Sequence, residues 1–215
     1  MARQVRAEQT RATIITAAAD LFDRQGYEGT SLGDIVEHAR VTRGALYFHF
    51  AAKEDLAHAI LELQSATCRR LARDTEVRGR TSLEALMRLT FSIARRSAKD
   101  PVLRAGLRLA TGGARPRPPL SHPFTEWTDI VAARLLGAAE ESDVQPDVDL
   151  DVVAHSLVCF FVGTRVVGRS REPAARQPRR TAEMWQILIR GLVPVTRRAR
   201  YLSLAARLER ETAPV

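Results

Sequence analysis

TSLGDIVEHARVTRGALYFHFAAKEDL, residues 30–56, sets two short helical patterns on either side of a tight turn. Ser31 is a helix cap, and Asp34, three residues on, completes a variant of the capping box, in which each side chain satisfies a backbone N–H at the helix start. Leu32, Ile35, Val36 and Ala39 then share one inward face. Val41 lies in the turn. Thr42 caps the second helix, whose Leu46 and Phe50, four residues apart, point back toward the same core. Arg43, Gly44, Ala45, Tyr47 and His49 are left facing outward.

That division is what a DNA-reading helix requires: short residues where backbone and bases approach, and donors near base edges and phosphates. Gly44 and Ala45 permit close approach, and Ala45 suits a thymine methyl. Arg43 reaches guanine or phosphate, while Tyr47, His49 and the Thr42 hydroxyl reach phosphate oxygens. Lys53, in the first turn of the next helix, sits beside backbone N–H groups expected to be free, which suits another phosphate. Spacing alone fits equally a short amphipathic hairpin whose polar face merely meets water. The crowding of Tyr47, Phe48, His49 and Phe50 into one turn favours DNA, since a purely structural helix has little reason to present so many rings.

Outward from this window nothing reads as strand, and the expected fold class is all-α. Apolar residues recur at helical spacing between Gly and Pro punctuation. A first helix is expected over residues 6–24, with Ile14, Ile15, Ala18, Leu21 and Phe22 in a stripe that Gly26 ends. After the helix-turn-helix come helices over 53–73, 82–98, 101–110, 124–141, 149–167 (capped by Asp149), 179–193 and a last one to about 210. TGGARPRPPLSHP, 111–123, and SREPAARQP, 170–178, read as loops. Aromatic residues at helical spacing are more often core than pocket, but Trp127 follows the proline loop, where helices spread apart and a cavity has room to open.

The 215 residues are 45% hydrophobic and 27% charged, an ordinary globular balance. The formal charge is +8, yet residues 1–55 carry seven Lys or Arg against eight Asp or Glu, whereas residues 161–215 carry twelve against four. Bulk charge therefore aids encounter with DNA without locating the site. The Arg-rich stretches 176–180 and 197–200 read as solvated surface. The opening ARQVRAEQTRATI lacks the apolar centre of a signal peptide, and the uncharged run 157–164 is too short for a bilayer, so a cytoplasmic protein without membrane contact is expected. Cys68 and Cys159 share no motif, and Cys159, in SLVCFFVG, reads as buried and inert. GxSxG, HExxH, a phosphate loop and a dinucleotide glycine signature are absent, the histidines are scattered, and Glu54 with His58 makes only two metal ligands. No enzyme activity, cofactor or metal is expected.

With its first helix and VTRGALYFHFAAKEDL near residue 50, the chain resembles the tetracycline-repressor (TetR) family over residues 8–60. The resemblance implies an N-terminal three-helix domain, residues 1–52, whose second and third helices are the helix-turn-helix. A larger helical ligand-binding and dimerisation domain, residues 53–215, would follow, with the helix over 53–73 linking the two. It also puts Thr42, Arg43, Gly44, Ala45, Tyr47, His49 and Lys53 on the family's DNA-facing positions. Arg40 departs from the glycine usual in the turn; in a left-handed conformation its side chain costs about 1 kcal/mol. LEALMRLTFSIAR, PVLRAGLRLAT, HPFTEW and MWQILIRGLVPVTRRARY extend the likeness to the γ-butyrolactone autoregulator receptors of that family. This second likeness implies a small apolar lactone as ligand, with Trp127 lining its pocket. A homodimer follows from the family pattern of a four-helix bundle, with Leu150, Val153, Leu157, Phe160 and Phe161 on one helix and Met184, Trp185, Leu188 and Leu192 on the next as its expected faces. The expected function is a repressor that grips a pseudo-palindromic operator as a dimer and releases it on binding ligand. A repressor or architectural protein without a ligand is the alternative, distinguished by whether any small molecule lowers operator affinity.

Overall fold

A computed structural model describes residues 2–77, 80–112, 123–169 and 176–212. The structure of the chain is all-helical over these residues, and every expected helix is present: α1 (Ala2–Gln25), α2 (Leu32–Ala39), α3 (Arg43–His49), α4 (Lys53–Thr75), α5 (Ser82–Lys99), α6 (Pro101–Thr111), α7 (Pro123–Glu140), α8 (Leu150–Arg169), α9 (Gln177–Leu192) and α10 (Val195–Thr212). Most of the proline loop and residues 170–175 lie outside the described residues. Two boundaries differ from expectation. α1 begins at Ala2, and Gln177 and Pro178 already belong to α9. A proline in the first turn of a helix lacks only an N–H that has no partner there, so Pro178 starts the helix rather than breaking it.

The chain divides into two compact units, Met1–Thr67 with Asp100–Pro123, and Cys68–Lys99 with Phe124–Val215. In the first, α1 packs against α2, α3 and α6. Ile14, Ala18, Phe22, Ile35, Leu46, Leu56 and Ile60 form its sealed centre, joined by Ala105 and Leu109 of α6. Burying each of these Ile, Leu and Phe side chains stabilises by about 1.5–3 kcal/mol before entropy is counted. The guanidinium of Arg104 donates to Asp23 (2.6 Å), and Arg108 donates to the Asp23 carbonyl (2.6 Å), which ties α6 to the end of α1.

In the second unit α5, α8 and α10 pack around α9. Trp185 of α9 is completely enclosed, and its indole N–H donates to the Thr90 hydroxyl at 2.8 Å, so the largest core side chain leaves no orphan donor. A second buried polar cluster closes the far end. Asp143, wholly enclosed, accepts from Tyr201 Oη and from Arg197 (2.6 Å), and the Arg197 guanidinium also caps the Glu141 carbonyl. Burial and the Asp143 carboxylate together raise the Tyr201 phenol well above its ordinary value. Within the stretch 197–200, Arg197 is engaged as described and Arg198 donates to the Val193 carbonyl, while Ala199 and Arg200 are exposed as expected of a solvated run.

Candidate DNA-reading helix and ligand cavity

The helix-turn-helix is built almost wholly from local bonds. Ser31 Oγ accepts from the Asp34 N–H (3.1 Å) while the Asp34 carboxylate accepts from the Ser31 N–H (2.8 Å), the reciprocal capping box. Those bonds hold the Asp34 carboxyl below its ordinary value. Arg40 ends α2 at φ 53°, ψ 44°, in the left-handed region. Its N–H reaches the Glu37 carbonyl and the next N–H, of Val41, reaches Val36 (3.2 Å), the bonding pattern of a Schellman turn. The conformation that usually calls for glycine is therefore present with an arginine in it. Thr42 accepts from the Ala45 N–H (3.1 Å) and so starts α3.

Leu46 is sealed and Phe50 nearly so, which fixes how α3 rolls on the core. Thr42, Arg43, Gly44 and Tyr47 then face solvent, with Ala45 and His49 partly exposed. Tyr47 is 57% exposed and Phe48 79%. Phe48 was not singled out from the sequence as a contact; the crowd of rings was its only signal. A Cβ added at Gly44 would meet nothing within 4 Å, so packing does not require a glycine there.

Lys53 lies differently from its expected surroundings. Its ammonium donates to the carbonyls of Tyr27 (2.9 Å) and Thr30 (2.9 Å) and sits 4.4 Å from the centre of the Tyr27 ring. The neighbouring N–H groups of Ala51 and Ala52 are not free: the Asp55 carboxylate accepts from both, at 2.9 and 3.0 Å, because an acidic side chain in a first helical turn reaches back to the orphan donors. An ammonium has three donors, so one remains on Lys53.

In the second unit α4, α5, α7 and α8 enclose a narrow apolar cavity. Cys68, Leu86, Ile93, Trp127, Ile130, Leu157 and Phe161 are among its walls, and its free space is about 30 Å³, room for little more than water. Trp127 is buried, stands edge-on to Phe124 with ring centres 5.8 Å apart, and its indole N–H has no acceptor among the described residues. The Thr90 hydroxyl in the wall is already used, donating to the Met87 carbonyl and accepting from Trp185. A more polar recess, lined by Arg69, Arg73, Glu76, Ser82 and Arg134, shares Ile130 with the cavity.

The faces expected to meet a partner are redrawn. Leu157, Phe161, Met184, Trp185 and Leu192 are buried within the chain, because the helical stripes that carry them pack on the unit's own core. The exposed stripe of α8 is instead Val152, His155, Ser156, Cys159, Phe160, Val166 and Val167, and on α9 it includes Gln186, Ile187, Arg190 and Gly191. Cys159 is therefore exposed, not buried, with Sγ 3.4 Å from His155 Nε2. Taken whole, α8 is long and apolar enough to cross a membrane by composition, which the uncharged run alone is not; only 28% of Leu150–Gly168 is buried inside the chain. Cβ atoms added at Gly163 and Gly191 would meet nothing within 4 Å.

Residues 14–60 match the family model of bacterial regulatory proteins of the tetR family, and residues 80–194 match that of the tetracyclin repressor-like C-terminal domain. The A-factor receptor protein of Streptomyces griseus is 36% identical over 189 residues, 88% of this chain and 66% of its own length. TtgR, a transcriptional regulator of Pseudomonas putida, is 47% identical over 70 residues, 33% of each chain. The chain thus spans under two thirds of the first of these relatives and a third of the second. Among solved structures, CprB of Streptomyces coelicolor, in complex with its biological operator sequence, superposes with a TM-score of 0.87 at 70% identity, over 95% of this chain and 98% of that one. A γ-butyrolactone receptor, an ArpA-like protein, gives 0.86 at 68% identity, over 96% and 99%.

Proposed function

The chain belongs to the tetracycline-repressor family of bacterial regulatory proteins, and from that footing we propose that it is a cytoplasmic, ligand-responsive repressor, not an enzyme, that binds a pseudo-palindromic operator as a homodimer. The observation that carries this is α3: a capped helix, keyed into the core by Leu46 and Phe50, that holds Thr42, Arg43, Tyr47 and Phe48 out in water. Thr42, Arg43, Gly44, Ala45, Tyr47 and His49 touch the DNA, with Gly44 kept small for the approach of the duplex. Phe48 adds an apolar contact to base edges or sugar. Lys53 offers its third donor to a phosphate while the other two hold the loop after α1. Residues 1–52 read the DNA, and residues 53–215 sense the ligand and dimerise.

Two recognition helices about 34–36 Å apart read two half-sites of one operator. The exposed apolar stripes of α8 and α9, with open glycines at 163 and 191 that permit close helix approach, supply the surface for the second copy. The ligand is a small apolar molecule of γ-butyrolactone type, taken up beside Trp127. Because the cavity as it stands is too small for one, its walls must part on binding. A ligand that binds only the widened form draws the population toward it, and that form no longer fits the operator spacing.

The test is titration of labelled palindromic operators at fixed salt, with and without a γ-butyrolactone. Tight binding released by the lactone is the expected result, with Trp127→Ala binding DNA normally and needing at least about tenfold more lactone for release. Absence of specific operator binding would sink the repressor reading. Binding that no small molecule weakens would leave a constitutive repressor.

A further inference from the structure

Arg165 of α8 is the least explained charge in the second unit. Its side chain is buried, and neither Nε nor Nη2 meets an acceptor among the described residues. Nη1 makes one long contact, 3.4 Å, to the Phe161 carbonyl one turn earlier, and the guanidinium carbon lies 3.6 Å from the centre of the Phe161 ring. Burial pushes the group down to about 9, with the Cys68 thiol opposing that shift, so the guanidinium stays charged at neutral pH. An enclosed cation without a counter-charge is strongly unfavourable, and its persistence calls for a partner that arrives later.

The position of Arg165 names that partner's route. It continues the α8 stripe of Leu157 and Phe161, which line the apolar cavity, and Cys68, with which it interacts electrostatically, lines it too. Among the described residues three buried donors at and beside the cavity lack an acceptor, Trp127 Nε1, Arg165 Nε and Arg165 Nη2, and one buried acceptor, Gln177 Oε1 beside Gly168 on the same helix as Arg165, lacks a donor. The outer recess that shares Ile130 with the cavity carries three guanidinium groups, Arg69, Arg73 and Arg134, two of them paired with Glu126 and Glu76, and its remaining positive charge favours anions near the cavity.

We propose that the cavity takes its ligand as an apolar carboxylate, the hydrocarbon lying against Trp127, Leu86 and Leu157 and the carboxylate paired with Arg165 beyond Phe161. For a γ-lactone the matching species is its ring-opened hydroxycarboxylate. This rests on the ligand-sensing reading and narrows it from an apolar molecule to an apolar anion. Arg165 is retained at a cost to the empty protein because the guanidinium fork binds a planar carboxylate with two parallel bonds.

The experiment is calorimetric titration of the full-length protein with octanoate, methyl octanoate, γ-hydroxyoctanoate and γ-octalactone, beside operator titrations of the same samples. Octanoate and γ-hydroxyoctanoate should bind at least about tenfold tighter than the ester and lactone, and Arg165→Gln should erase that preference by weakening only the carboxylates. Arg165→Lys, which keeps the charge without the fork, should retain part of it and guards against a Gln variant that fails to fold. Without ligand the thermal midpoint of Arg165→Gln should equal or exceed that of the unsubstituted protein, and octanoate should raise the midpoint of the latter alone. Equal affinity for acid and ester, no binding by either, or a preference that survives Arg165→Gln would each overturn the proposal. Carboxylate binding without operator binding would sink the repressor reading and leave this site standing; operator binding without the carboxylate preference would do the reverse.

Discussion

The caps of the helix-turn-helix and the core of the second unit satisfy their polar groups in different ways. Around α3 the deciding bonds close within a turn: Ser31 with Asp34, Thr42 with Ala45, Asp55 with Ala51 and Ala52. In the sensing unit they join residues far apart in sequence: Trp185 with Thr90, Tyr201 with Asp143, and Ser82 with Glu141, whose carboxylate accepts from the Ser82 N–H at 2.8 Å. The two units also treat rings differently. The reading helix leaves Tyr47 and Phe48 in water, whereas the sensing unit encloses Trp127 and Trp185. A surface that must fit an external, rigid partner has to be formed beforehand, and local caps do that. A cavity walled by α4, α5, α7 and α8 depends on packing among distant helices.

The contrast can be broken most sharply at Trp185. Replacing it with Ala should cost about 3–5 kcal/mol of stability in a denaturant titration, through the cavity left and the orphaned Thr90 contact. A loss under 1 kcal/mol would show that the sensing unit does not rest on this core. Tyr47→Ala should do the opposite, leaving the denaturation midpoint in place while operator affinity falls by about 1–3 kcal/mol in a binding isotherm. Unchanged affinity there would sink the assignment of α3 as the reading helix.

Arg40→Gly probes how much strain the local design tolerates. Since the residue sits at φ 53°, glycine should stabilise the protein by about 1 kcal/mol, read as a rise in the denaturation midpoint. The smallest effect is in acid. The Asp34 carboxyl is held below its ordinary value of 3.8 by the Ser31 N–H and hydroxyl, so its contribution to α2 is whole above that pH and is lost as pH falls through the folded value. An Asp34→Asn variant should therefore show a shallower loss of helix signal below pH 3.8 than the unsubstituted chain.

How much was legible in the sequence follows the same division. The capping box and the inward pair Leu46 and Phe50 are set by spacings of three and four, which a sequence displays directly, while the left-handed turn at Arg40 was implied only by the glycine usual there in the family the chain resembles. The lining of α8 and the surroundings of Lys53 were misjudged because apolar stripes and charged side chains have more than one possible neighbour. Leu157 and Phe161 were assigned to a partner and instead wall the cavity. Lys53 was expected beside free N–H groups that Asp55 already occupies. Phe48 is visible in the sequence only as one of a crowd of rings and Arg165 not at all, since neither the exposure of one ring nor the burial of one guanidinium leaves a mark on residue order.

The sequence by itself determined an all-helical chain, the positions of its ten helices among the described residues, and the outward set on α3, because helical period and capping act over a few residues. Only the tertiary structure decided which faces of α8 and α9 are core and which are bare, where Trp127 stands, and that Arg165 is enclosed with Nε and Nη2 meeting no acceptor among the described residues. Those depend on which helices meet across long separations in sequence, where hydrophobic burial is non-directional and many pairings satisfy the same pattern.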